Sequence, residues 1–204
     1  LISARCEQPP QIKFFTAVMP GVRFLPPRAV MRFAGMDFGP EKSRLFRELY
    51  PYRDYRLPAD AVIDALGDAS LGCANFRAAE ASALNQAKTF YYRFDYDDHK
   101  KPHAIGAPHG IEIAFVFDNL RPKVRGGGIY TPTQIEKAQP LVAIVSTYWT
   151  NFAKTGDPNG QGLPPWPAYD LTSRQRMYLD LPPEVRPTDN VEKCAFWEDN
   201  QFLK

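Results

Sequence analysis

The sequence predicts an α/β protein, because a strand of alternating aromatics lies between helical stretches and a second strand follows the longest helix. Phe90, Tyr92, Phe94 and Tyr96 share one face of the first strand, Lys88 to Tyr96, while Tyr91, Arg93 and Asp95 share the other. Gln175 to Leu181 repeats the alternation, with Met177, Leu179 and Leu181 on one face. Helices with apolar spacings of three and four separate these strands, and such alternation predicts α/β layering.

In chain order, residues 1–39 read as strand, turn and apolar loop, with Leu1-Ile2 ending a buried strand and order resuming at Lys13-Phe14-Phe15. Glu41 to Tyr50 is a helix carrying Leu45, Phe46 and Leu49 on one side. Pro58 to Leu66 is a second, with proline in its first turn. Ser70 to Lys88 is an alanine-rich third, with Ser70 as its cap. Thr131-Pro132-Thr133-Gln134 predicts a helix start with a capping box, and Lys154 and Gly156 mark its end. Pro140 is expected to kink this helix. A last helix, capped by Asp189-Asn190, carries Cys194, Trp197 and Phe202.

Composition restricts function little. A hydrophobic fraction of 44% and a charged fraction of 24% are ordinary for a globular chain of 204 residues, whole or part of a larger domain. A net charge of +2 gives no ground for a nucleic-acid partner, and no apolar run is long enough for a membrane span. Cys6, Cys73 and Cys194 are odd in number and widely spaced, which predicts neither a disulfide framework nor a metal site and leaves the localisation unknown.

One stretch carries chemistry: Gly106-Ala107-Pro108-His109-Gly110-Ile111-Glu112-Ile113-Ala114-Phe115-Val116-Phe117. Two glycines and a proline fix the backbone around His109 on a loop that follows a strand, where a side chain can be held in a set direction. His99 and His103 precede it in the same loop and read as solvated, not as metal ligands, since Pro102, Gly106 and Pro108 prevent one helix from presenting all three histidines. Glu112 is either a second carboxylate of the site or a residue that pins its loop or caps the following short helix.

This segment resembles the histidine motif of type B carboxylesterases, the cholinesterase-like branch of the α/β-hydrolase fold. Gly106, His109, Gly110, Glu112, Ile113, Phe115, Val116 and Phe117 match it. Trp149 to Gly160 with Trp166-Pro167-Ala168-Tyr169, and Cys194-Ala195-Phe196-Trp197, are similar to later blocks of the same family. The resemblance implies the C-terminal part of an α/β-hydrolase fold with an incomplete central sheet, residues 1–204 forming the C-terminal portion of a single carboxylesterase domain. It implies a serine esterase that acts on small-molecule esters without a cofactor, His109 being the general acid/base of a Ser-His-acid triad.

In this fold the chain order is serine, acid, histidine, so both partners of His109 should lie upstream. No G-x-S-x-G elbow is present; Asp68-Ala69-Ser70-Leu71-Gly72 lacks the first glycine and follows a helix instead of a strand. The nucleophile is therefore expected in the missing N-terminal part of the domain, which becomes a required partner, and the isolated chain is expected to be inactive. For the acid, counting from Leu1-Ile2 lands beside Glu7, while counting from Phe14-Phe15 lands on Gln11. Two other readings stay open: a non-catalytic binding or adhesion module on the same fold, and a truncated inactive product.

Overall fold

The computed structural model describes residues 2–6, 24–33, 36, 38–86, 88–122 and 127–200. Four strands form one sheet: β1 (Ile2–Cys6), β2 (Phe90–Phe94), β3 (Gln175–Leu179) and β4 (Glu184–Pro187), hydrogen-bonded in that order. The first three run parallel, pairing Ile2 with Phe90 and Tyr92 with Met177. β4 returns antiparallel, setting Tyr178 opposite Glu184. The two strands expected from aromatic and aliphatic alternation are thus neighbours, and β4 is an addition. Its four residues Glu184-Val185-Arg186-Pro187 alternate too briefly for a strand signal.

The chain divides into two compact units, Leu1–Glu7 with Asn75–Asp189 and Gln8–Ala74 with Asn190–Lys204. In the first, β2 is covered on both faces. Its Phe90, Tyr92 and Phe94 meet Trp166, Trp149 and Phe115 in edge-to-face contacts at 6.0, 5.0 and 4.9 Å. The opposite face holds a fully buried cation: the Arg176 guanidinium lies 5.5 Å from the Tyr91 ring and 4.7 Å from that of Tyr178. It also donates to the Tyr178 hydroxyl at 2.8 Å and to Asp189 at 2.5 Å, which neutralises a charge that burial would otherwise penalise. Asp189, expected to cap the last helix, serves this cation instead.

The long helix α7 (Pro132–Thr155) begins as its sequence predicts. The Thr131 hydroxyl accepts from the Gln134 N–H, and the Gln134 side chain accepts from the Thr131 N–H at 3.0 Å. Gly156 closes it in the left-handed conformation with φ of 76°. The helix continues through Pro140.

In the second unit, α1 (Pro27–Phe33) is a helix that the sequence reading assigned to loop, and α2 (Pro40–Leu49) and α3 (Pro58–Gly67) occur where expected. The expected break after residue 66 is absent. A π turn, Asp68–Gly72, follows α3 without a break, and α4 (Cys73–Asn85) begins at its end, its residues from Asn75 onward belonging to the first unit. Ser70 is therefore no cap: its hydroxyl donates back to the Leu66 carbonyl at 2.7 Å inside a continuing helix.

The expectation about the cysteines is also corrected. Cys73 and Cys194 form a disulfide across 121 residues of sequence, tying the π turn to α8 (Val191–Asp199). Spacing along the chain could not show this, because the pairing is made by tertiary structure. Beside it the buried Tyr50 hydroxyl donates to Asp68 at 3.0 Å and accepts from the Trp197 indole at 2.8 Å. Lys193 lies 4.4 Å from the Tyr50 ring centre and 3.3 Å from the Asp64 carboxylate. Burial, then the charge of Asp68, holds the Tyr50 hydroxyl protonated far above its ordinary range.

Candidate active site

β2 delivers the chain into residues 97–112, and His99 holds that loop together. Its ring is buried, with one nitrogen, Nε2, 2.8 Å from the Gly106 carbonyl and the other, Nδ1, accepting from the Lys101 N–H at 3.1 Å. A carbonyl only accepts and a peptide N–H only donates, so the two contacts together select the neutral ring protonated at Nε2. The ring also stands edge-on to Tyr130 at 5.7 Å. His99 is thus no solvated loop residue, which corrects the sequence reading: its partners lie seven positions downstream and across the turn, and only the fold brings them together.

The bond to Gly106 closes the end of α5 (Pro102–Ile105), where Gly106 takes φ of 48° and its N–H donates to the Pro102 carbonyl at 2.8 Å. Gly110 follows at φ of 86°, and the Ile111 N–H donates to the Pro108 carbonyl at 3.1 Å. Both φ values lie where a side chain would be strained, so glycine is required at each. Ala107 and Ile111 are buried on either side of the turn, and His109 between them faces out. The loop is pinned at both ends, and its one histidine at the apex is exposed.

Glu112 occupies the cap position of the four-residue helix α6 (Ile113–Val116), yet its side chain makes no capping bond. The carboxylate is buried, and its Oε2 has no hydrogen-bond partner. Ile113 and Phe117 flank it on the outer side, 47% and 74% exposed, while Ala114 and Phe115 fill the core. Nearby, burial and then the charge of Asp98 push the Tyr96 hydroxyl up to about 12. The Tyr130 hydroxyl is also raised, first by burial.

No carboxylate among the described residues contacts the His109 ring, and Glu7 and Gln11 lie outside the described residues. Ser70, the nearest match to an elbow, has its hydroxyl committed to Leu66 within a helix, which leaves it unsuited to nucleophilic attack.

The family model described as "Carboxylesterase family" matches residues 43–197, three quarters of the chain. The chain belongs to the carboxylesterase family. Membership carries the α/β-hydrolase fold with it, and the sheet and its helices are consistent with part of that fold. Among curated relatives, mouse Carboxylesterase 1C is 29% identical over 167 residues, covering 81% of this chain and 26% of its own length. Pig liver carboxylesterase is 32% identical over 146 residues, with 69% and 24% covered. Chicken acetylcholinesterase is 34% identical over 143 residues, with 68% and 18% covered. The chain spans about a quarter or less of the length of these relatives, whose names place ester hydrolysis as the general activity of the family.

Proposed function

We propose that residues 1–204 are the C-terminal portion of a serine carboxylesterase domain, that His109 is its general acid/base, and that its substrate is a small-molecule carboxylic ester. The observation that carries this reading is the exposed His109 on a turn pinned by two left-handed glycines and by the buried His99. In such a mechanism the imidazole removes the proton from a serine hydroxyl as oxygen bonds to the ester carbonyl carbon. It then returns that proton to the departing alkoxide, and water repeats the sequence to free the acid. The serine comes from an N-terminal part of the domain outside these 204 residues. The exposed Ile113 and Phe117 beside the loop are suited to pack against that part. The orienting group is Glu7 or Gln11, the count from Lys13-Phe14-Phe15 favouring Gln11.

Two preparations test this. The 204-residue chain alone should hydrolyse p-nitrophenyl acetate no faster than its His109→Ala variant, because covalent catalysis needs a nucleophile it does not hold. Joined in frame to an N-terminal segment bearing a serine elbow, it should gain an activity that His109→Ala reduces by about 10⁴ or more. A joined protein that folds but hydrolyses esters at the same rate with and without His109 would leave a binding module as the reading. In the active composite, Glu7→Gln abolishes most turnover if Glu7 is the acid, whereas Gln11→Glu raises it if Gln11 holds that position.

A further inference from the structure

We propose that the second unit contains a binding site for an anionic amphiphile, a long-chain carboxylate, in the cleft between α1 and α2. The cleft has a volume of about 1190 Å³, within the range of small-molecule sites or slightly above it. Arg28, Arg32 and Arg47 line it, and among the described residues no acidic side chain does. All three guanidinium groups are exposed, and none takes part in an ion pair among the described residues. Three cations without an ion-pair partner among the described residues, around one concavity, create a positive potential that selects for an anion.

A fourth polar group faces the same space. The Tyr52 hydroxyl feels the charges of Arg47 and Arg28, which oppose the rise that burial imposes on it. Among the described residues its one hydrogen bond is to the Met31 sulfur at 3.8 Å, a weak acceptor that leaves the hydroxyl proton free to be redirected to an oxyanion. Ser43 also lines the cleft, its hydroxyl donating to the Phe38 carbonyl at 3.0 Å, and the rest of the described lining is apolar. Met31, Met36 and Phe38 form the floor, and prolines at 26, 27, 40 and 58 form the sides. Methionines adapt to irregular chains, so this floor suits flexible alkyl better than a rigid ring. Phe24 and Leu25, 77% and 45% exposed, continue the apolar surface outward immediately before Pro26. Cationic rim, hydroxyl donor and apolar floor together match a carboxylate head with a hydrocarbon tail. A bare anion would use only the rim, and a neutral lipid only the floor.

None of these residues belongs to the His109 loop, so the inference stands or falls apart from ester hydrolysis. The test is equilibrium dialysis of the 204-residue chain with sodium laurate below its micelle concentration, beside dodecanol, dodecyltrimethylammonium and acetate. Laurate should bind more tightly than all three and more weakly at high salt. The Arg28→Gln/Arg47→Gln variant should lose roughly ten-fold in affinity per arginine, the effect expected of a hydrogen bond to a charged group. Its thermal midpoint should not change, since both side chains are exposed. Tyr52→Phe should lose a further few-fold. Equal binding of dodecanol, undiminished laurate binding by the double variant, acetate binding as tight as laurate, or binding to anionic phosphatidylglycerol vesicles with none of monomeric laurate would each overturn the proposal.

Discussion

Replacing Cys73 and Cys194 together by alanine should lower the stability of this chain by about 5 kcal/mol. The crosslink joins positions 121 apart, so opening it releases a long loop in the unfolded chain. Taken at that length, the loop-entropy relation yields about 16 cal/mol/K, or about 5 kcal/mol at 298 K. Both sulfurs are buried among Phe196, Trp197 and the π turn, so small packing losses add to the entropic term. Urea unfolding of the chain and its double variant, followed by far-UV dichroism, measures the difference. Reduction of the unmodified chain should reproduce the variant's midpoint. A thiol titration of unreduced, denatured protein should find one reactive cysteine of the three in the sequence. Three reactive thiols, or a double variant within about 1 kcal/mol of the parent, would refute the crosslink as a stabilising element.

Other outcomes follow from single contacts. His99→Phe keeps a ring beside Tyr130 but abandons the Gly106 and Lys101 bonds, and should cost about 1–3 kcal/mol. Amide exchange should then quicken across residues 99–110 before the rest of the first unit. Asp189→Ala strips the buried Arg176 of its counter-charge, and chemical denaturation should show a loss of about 3 kcal/mol, the lower end for a buried pair because Asp189 is half exposed. Lys88, then Asn159, lowers the Asp157 carboxyl to about 2. A carboxyl lowered on folding stabilises above its unfolded pKa, so this contribution is present at neutral pH and fades as pH falls from about 4 towards 2. Asp157→Asn should accordingly cost less than about 1 kcal/mol at pH 7 for so exposed a pair, and progressively less as the pH falls to 2 and below, as read from paired thermal melts.

The strand of alternating aromatics, the capping box at Thr131 and the glycine-framed His109 are local features, each specified by residues within a few positions of one another. They were legible because their physics is local: period-two alternation, a side chain reaching three residues along, a φ that only glycine tolerates. The family likeness came from the same kind of short, ordered blocks. Apart from the short α1 and β4, whose local signals are too brief, what the sequence concealed was made by distance. Among charged neighbours His99 reads as solvated, until the fold brings the Gly106 carbonyl and the Tyr130 ring against it. Arg176 lies on the strand face opposite Met177 and Leu179, and only the Tyr91 and Tyr178 rings with Asp189 make its burial tolerable. Ser70 satisfies the rules for a cap, yet the π turn carries the helix past it. Cys73 and Cys194 are separated by most of the chain, so no spacing rule could join them. Local sequence determined which segments become strands, helices and turns, because backbone preferences act within a few residues. Tertiary structure decided which polar groups are buried and with whom they pair, because that depends on which distant surfaces meet.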